Sequence, residues 1–108
     1  MYKDSFSYSI VKNILLKSFP YKNVIKYRSE SDILLVMNKE YSLFYFNSVA
    51  KDFFELCDGN TNVKQIIDVL SNKYNIEKNI LEDDIIDLIK DLQLKRLIYI
   101  NPMEIDYE

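Results

Sequence analysis

The sequence predicts a single α+β domain in which sheet comes first and helices follow. Three observations carry that expectation. Short runs of strand-forming residues fill Asn23 to Phe46, and apolar residues recur at helical spacing from Ala50 to Leu92. Between them lies FNSVAKDFFELCDG, residues 46–59, where the apolar period changes and which closes on the only glycine of the chain.

Size and composition fit one core. At 108 residues and 48% hydrophobic content the chain can bury a modest interior, and it has enough apolar surface to offset the entropy of ordering. The expected organisation is an N-terminal arm or short helix over residues 1–22, a folded domain over 23–100 and an acidic tail over 101–108. Residues 1–22 place Ile10, Val11, Ile14, Leu15 and Phe19 at helical spacing, with Pro20 as the stop.

Three strands are expected next. Asn23 to Arg28 contains the first, Ser29 to Asp32 a turn, and Ile33 to Met37 a continuous apolar strand. A second turn falls at Asn38, Lys39 and Glu40, with Asn38 the residue expected to take a left-handed conformation. The third strand is Tyr41 to Phe46. Alternation puts Leu43 and Tyr45 on one face and Phe44 and Phe46 on the other, so both faces are apolar and one is left over for a partner or for the N-terminal arm.

Asn47 or Ser48 caps the first helix of the bundle, whose stripe is Ala50, Phe53, Phe54 and Cys57, and Asp58-Gly59 supplies its end. Thr61 or Asn62 caps the second, with Val63, Ile66, Ile67, Leu70 and Tyr74 inward and Asn75 as the stop. The third begins near Lys78 or Asn79 and runs to about Leu94. Leu81, Ile85, Leu88, Ile89 and Leu92 face the core, whereas Ile86 sits about 100° round from Ile85, on the shoulder with Glu82, Lys90 and Gln93. Leu97 to Ile100 returns as an extended segment. Three strands followed by a three-helix bundle make this a winged helix-turn-helix-like arrangement.

Several functions are disfavoured by what the chain carries. It has no histidine, so the commonest general base and metal ligand are missing, and its one cysteine, Cys57, lies on a core stripe as a structural thiol. Asp83, Asp84 and Asp87 read as a solvated helix face rather than an acid-base pair or a magnesium site, so neither enzyme activity nor a cofactor is expected. The alternative is a DNA-binding winged-helix regulator, but residues 77–91 hold six acidic residues and two basic ones, the wrong sign for phosphate contacts. No run approaches the roughly 20 apolar residues of a membrane span, and a cytoplasmic location with no membrane or nucleic-acid partner is expected.

From about Val24 to Ile98 the chain resembles the PqqD-like family, the precursor peptide recognition elements of pathways that make ribosomally synthesised, post-translationally modified peptides. The resemblance rests on Phe46-Asn47, Ala50, Phe53, Asp58-Gly59, Val63, Ile66, Tyr74, Asp84, Leu92 and the Leu97-Ile98 pair, in that order and spacing. One position departs from the family pattern: Arg96 stands where a glycine usually precedes the final pair, which questions a left-handed cap there.

The resemblance implies a non-catalytic adaptor without a cofactor. It would take the leader of a precursor peptide as an extra strand on the edge of the third strand, and present it to a modifying enzyme, commonly a radical S-adenosylmethionine enzyme. An open strand edge supplies the backbone groups for such binding. The expected peptide-binding residues are Tyr41, Leu43, Phe44, Tyr45 and Phe46 on the edge. Across the cleft, helical geometry suggests Glu82, Asp83, Ile86, Ile89, Lys90 and Gln93, with Glu82 and Asp83 favouring a basic leader. The same edge and the apolar arm leave a homodimer open.

Overall fold

The computed structural model of the chain describes residues 6–101. It is an α+β structure of four helices and two small antiparallel sheets. In chain order these are α1 (Phe6–Leu16), β1 (Phe19–Lys22), β2 (Lys26–Glu30), β3 (Ile33–Met37), β4 (Leu43–Phe46), α2 (Ser48–Glu55), α3 (Val63–Tyr74), α4 (Lys78–Leu94) and β5 (Ile98–Asn101). Of the acidic tail expected over 101–108, Asn101 instead closes β5, and the remainder lies outside the described residues.

The three-stranded sheet runs in the order β2-β3-β4, and β1 pairs with β5 in a separate two-stranded ribbon. Pairing of Met37 with Leu43 and of Leu34 with Phe46 fixes the β3–β4 register. That register turns Leu34, Val36, Phe44 and Phe46 toward the helices, where they meet Phe53, Phe54, Ile66, Leu70, Leu81, Ile85, Ile89 and Leu92 in one core. Cys57 belongs to it at 1% exposure, and burial pushes its thiol up to about 12, which makes it inert rather than nucleophilic.

Local chemistry accounts for the helix ends. Asn47 accepts the Ala50 amide, and Asn62 and Gln65 close a reciprocal capping box at the start of α3. Asn75 ends α3 in the left-handed region at φ 54°. Arg96 does the same after α4, at φ 60°. The Arg96 amide donates to the Gln93 oxygen and the Leu97 amide to the Leu92 oxygen, the paired bonds of a Schellman cap. The missing glycine therefore changes the residue at the cap and leaves the cap itself in place.

Four local expectations need correction. β4 begins at Leu43, because Tyr41 turns left-handed at φ 67° and lies in the preceding turn. Asn38 is not the left-handed residue; it is buried, and its side chain organises the turn by accepting the Glu40 and Ser42 amides. Gly59 does not cap α2, which ends at Glu55. It sits in the following loop at φ 81°, donates to the Pro20 oxygen, and lies so close to β1 that an added Cβ would stand 3.4 Å from that of Tyr21. Finally, α1 is present but rotated: Ile10, Val11 and Ile14 are 44, 42 and 50% exposed, while Tyr8 is buried and Leu15 and Leu16 pack on the core. The strand β1 that follows was not anticipated.

Candidate functional site

β4 is an outer strand. It pairs with β3 and, among the described residues, with no other strand. Which backbone groups it leaves open follows from the hydrogen-bond phase. The Asn38 amide donates to the Ser42 oxygen, so Asn38-Ser42, Val36-Phe44 and Leu34-Phe46 are the bonded pairs. Leu43 and Tyr45 occupy the alternate positions. Their N-H and C=O groups point away from β3, toward the side on which no strand follows.

The helix facing this edge is α4, and contacts show which flank it turns there. The Lys95 ammonium lies 5.7 Å from the Phe44 ring centroid and pairs with Asp91. Asn38 donates to the Lys95 oxygen at 2.9 Å, and Arg96 pairs with Glu40, so the turn before β4 is fastened to the end of α4 at two points. Counting back from Lys95 by four, three and four residues gives Asp91, Leu88 and Asp84, which share that flank. Lys95 meets Phe44 on the inward face of β4, and Asp91, Leu88 and exposed Asp84 continue the Lys95 flank along α4.

The helix residues expected to form this wall lie elsewhere. Glu82, Asp83, Ile86, Lys90 and Gln93 share the opposite flank of α4, and α1 covers most of it. Lys12 approaches Glu82 at 3.0 Å and Asp83 at 3.6 Å, and Tyr8 donates to Asp83 at 2.7 Å. Lys90 lies 5.8 Å from the Tyr8 ring centroid. Ile86 is fully buried rather than at a solvent shoulder, and Ile89 belongs to the core. Gln93 is exposed beside Lys90 and Leu94 at a shallow surface hollow. The cause is α1. Helical phase shows which α4 residues share a flank, but not that a remote helix covers one flank and a strand faces the other.

The edge residues come out differently. Leu43 and Tyr45 project outward at 64 and 75% exposure, Phe44 and Phe46 are half-buried toward α4, and Tyr41 is exposed in the turn. Asn38 was read from the sequence only as a turn residue and Leu88 only as core, and neither they nor Asp91 and Lys95 were expected at the site. The three-four spacing that joins Leu88, Asp91 and Lys95 was legible; nothing local says that it faces β4.

An outer strand with unpaired backbone groups is an edge to which a sheet can add a further strand. The family model for coenzyme PQQ synthesis protein D (PqqD) matches residues 34–98, from β3 to the start of β5, and the chain belongs to this family. Among solved structures it is similar to one described as TbiB1 in complex with the TbiA(beta) leader peptide. The match has a TM-score of 0.64 and 16% identity, covering 70% of this chain and 93% of the other. No curated protein matches the chain.

Proposed function

We propose that the chain is a non-catalytic adaptor that binds the leader of a ribosomally made precursor peptide as an added strand on β4. The observation that carries this reading is the outward phase of the Leu43 and Tyr45 backbone groups on an unpaired edge. Family membership supports it, as does similarity in fold to a protein captured with a leader peptide.

Main-chain bonds to Leu43 and Tyr45 supply affinity without regard to sequence, and alternate side chains of the leader supply selectivity. Those pointing inward enter the cleft between Phe44, Phe46, Leu88 and Lys95; those pointing outward lie beside Leu43 and Tyr45. Glu82 and Asp83 are already answered by Lys12 and Tyr8, and Asp91 by Lys95, so charge selection by α4 falls to Asp84.

The bound leader presents its core peptide to a modifying enzyme, which we take to be a radical S-adenosylmethionine enzyme, by raising its local concentration. The winged-helix-like order of sheet and bundle serves as scaffold for the edge. We place this work in the cytoplasm. A homodimer joined through the β4 edge would compete with the leader, so the active form is the one with that edge open.

The test is a titration of the full chain with the leader encoded beside it. Binding at micromolar or tighter affinity, lost on blocking the edge, supports the reading; no binding overturns it.

A further inference from the structure

The outer face of the three-stranded sheet is built unlike a solvated one. Strand alternation places Lys26, Arg28 and Glu30 of β2, Ile33, Leu35 and Met37 of β3, and Leu43 and Tyr45 of β4 on this face. An antiparallel sheet with one face in water ordinarily carries polar residues there. Here every outward position of β3 and β4 is apolar, and Ile33, Leu43 and Tyr45 are 46, 64 and 75% exposed. The charged residues are confined to β2.

The cross-strand rows sharpen the pattern. Lys26 pairs with Met37, which pairs with Leu43; Arg28 pairs with Leu35, which pairs with Tyr45. Each row runs from a cation at one edge to apolar side chains at the other. Between them lies a groove of about 390 Å3 bordered by Lys26, Arg28, Leu35, Met37 and Leu43. Lys26 has no ion-pair partner among the described residues, and Arg28 has only Glu30, at 3.5 Å in an exposed pair of little energetic weight.

We propose that this face is a second docking surface, which takes a partner protein presenting an apolar side chain flanked by carboxylates. The proposal rests on the adaptor reading, and the partner it commits to is the modifying enzyme. Charge complementarity chooses the occupant. A second copy would bring two more cations and only Glu30 to meet them. Nucleic acid would find two cations and a broad apolar floor, too little charge for a phosphate backbone. Carboxylates around an apolar anchor answer both rows at once.

The groove at Lys26, Arg28, Leu35 and Met37 lies apart from the peptide edge, and the two surfaces meet only at the side chains of Leu43 and Tyr45. The open backbone groups of Leu43 and Tyr45 lie in the plane of the sheet, while their side chains rise from it. A leader on the edge and an enzyme on the face can therefore bind together, and the adaptor holds both.

The test is calorimetric titration of the full chain with the modifying enzyme encoded beside it, in parallel with titration by the leader peptide. The variant K26E/R28E changes two exposed side chains on the strand farthest from β4, and Met37→Glu places a charge in the groove floor. Both variants are expected to weaken enzyme binding at least tenfold, with leader affinity within about twofold of wild type. Unchanged enzyme affinity in both variants, or no enzyme binding by the wild type, overturns the proposal. So does a wild-type dimer in sedimentation that K26E/R28E converts to monomer, or an equal loss of leader binding. Failure of the leader alone to bind overturns the adaptor reading and leaves the enzyme titration to judge the face.

Discussion

The Asn38 side chain donates to the backbone oxygen of Lys95 at 2.9 Å while its own oxygen accepts the Glu40 and Ser42 amides, each at 3.0 Å. One buried amide thereby shapes the turn that starts β4 and fastens it to the end of α4. Asn38→Ala leaves these groups unanswered, and a loss of about 1–3 kcal/mol is expected in urea unfolding. Leader affinity should fall with it, since the edge and α4 are no longer held in register.

The phase of β4 distinguishes two proline substitutions. Tyr45→Pro removes an amide that points to the open edge, a position where a sheet tolerates proline. Phe44→Pro removes one bonded to β3. Leader titration and thermal melts should separate them: the first is expected to lose at least tenfold in affinity with little change in melting temperature, the second to unfold at markedly lower temperature.

Much of this was legible locally. The caps at Asn47, Asn62 and Asn75, the stripes of α2, α3 and α4, and the alternation of β4 are short-range patterns. What was not legible is which remote element lies against each face. Ile10, Val11 and Ile14 look like a core stripe, yet Tyr8 and Lys12, four apart on another face, find Asp83 and Glu82 on α4 and turn the helix the other way. The flank of α4 expected to face the peptide therefore meets α1 at Glu82, Asp83 and Lys90. Strand β1 was missed for a similar reason: Pro20 signals an end to helix, and only pairing with β5 makes the segment a strand.

Tyr8 should report on α1. Burial first, and then its hydrogen bond to Asp83, push its hydroxyl up to about 12. A raised value means that the stabilising contribution is complete below the unfolded value of 10.0 and is lost as pH rises through about 12. Tyr74 is raised as well, by its hydrogen bond to Asp52, so ultraviolet titration is expected to show late-ionising tyrosine absorbance that Tyr8→Phe reduces and does not abolish. The same variant should cost about 1 kcal/mol at neutral pH.

Asp52 gives the opposite sign. Burial alone would raise its carboxyl, but hydrogen bonds from Lys73 at 2.6 Å and Tyr74 at 2.5 Å outweigh it and hold the group below its usual range. Its contribution is present above the unfolded value of 3.8 and is lost as pH falls through the lower folded value. Asp52→Ala should cost about 1–3 kcal/mol at neutral pH and flatten the loss of stability below about pH 4. Urea midpoints across that range check both.

At Arg96 the left-handed cap carries a side chain, and its ion pair with Glu40 is exposed. Left-handed backbone costs a non-glycine residue about 1 kcal/mol, while an exposed pair returns less than that. Arg96→Gly is therefore expected to raise stability by up to about 1 kcal/mol, visible as a higher melting temperature.

Hydrogen exchange of the full chain, free and bound to its leader peptide, tests strand addition to β4 most directly. The Leu43 and Tyr45 amides, which point to the open edge, are expected to slow at least tenfold on binding, with Tyr27 and Ser29 on the outer side of β2 unchanged. Protection of Tyr27 and Ser29 instead, with Leu43 and Tyr45 still exchanging freely, would contradict it.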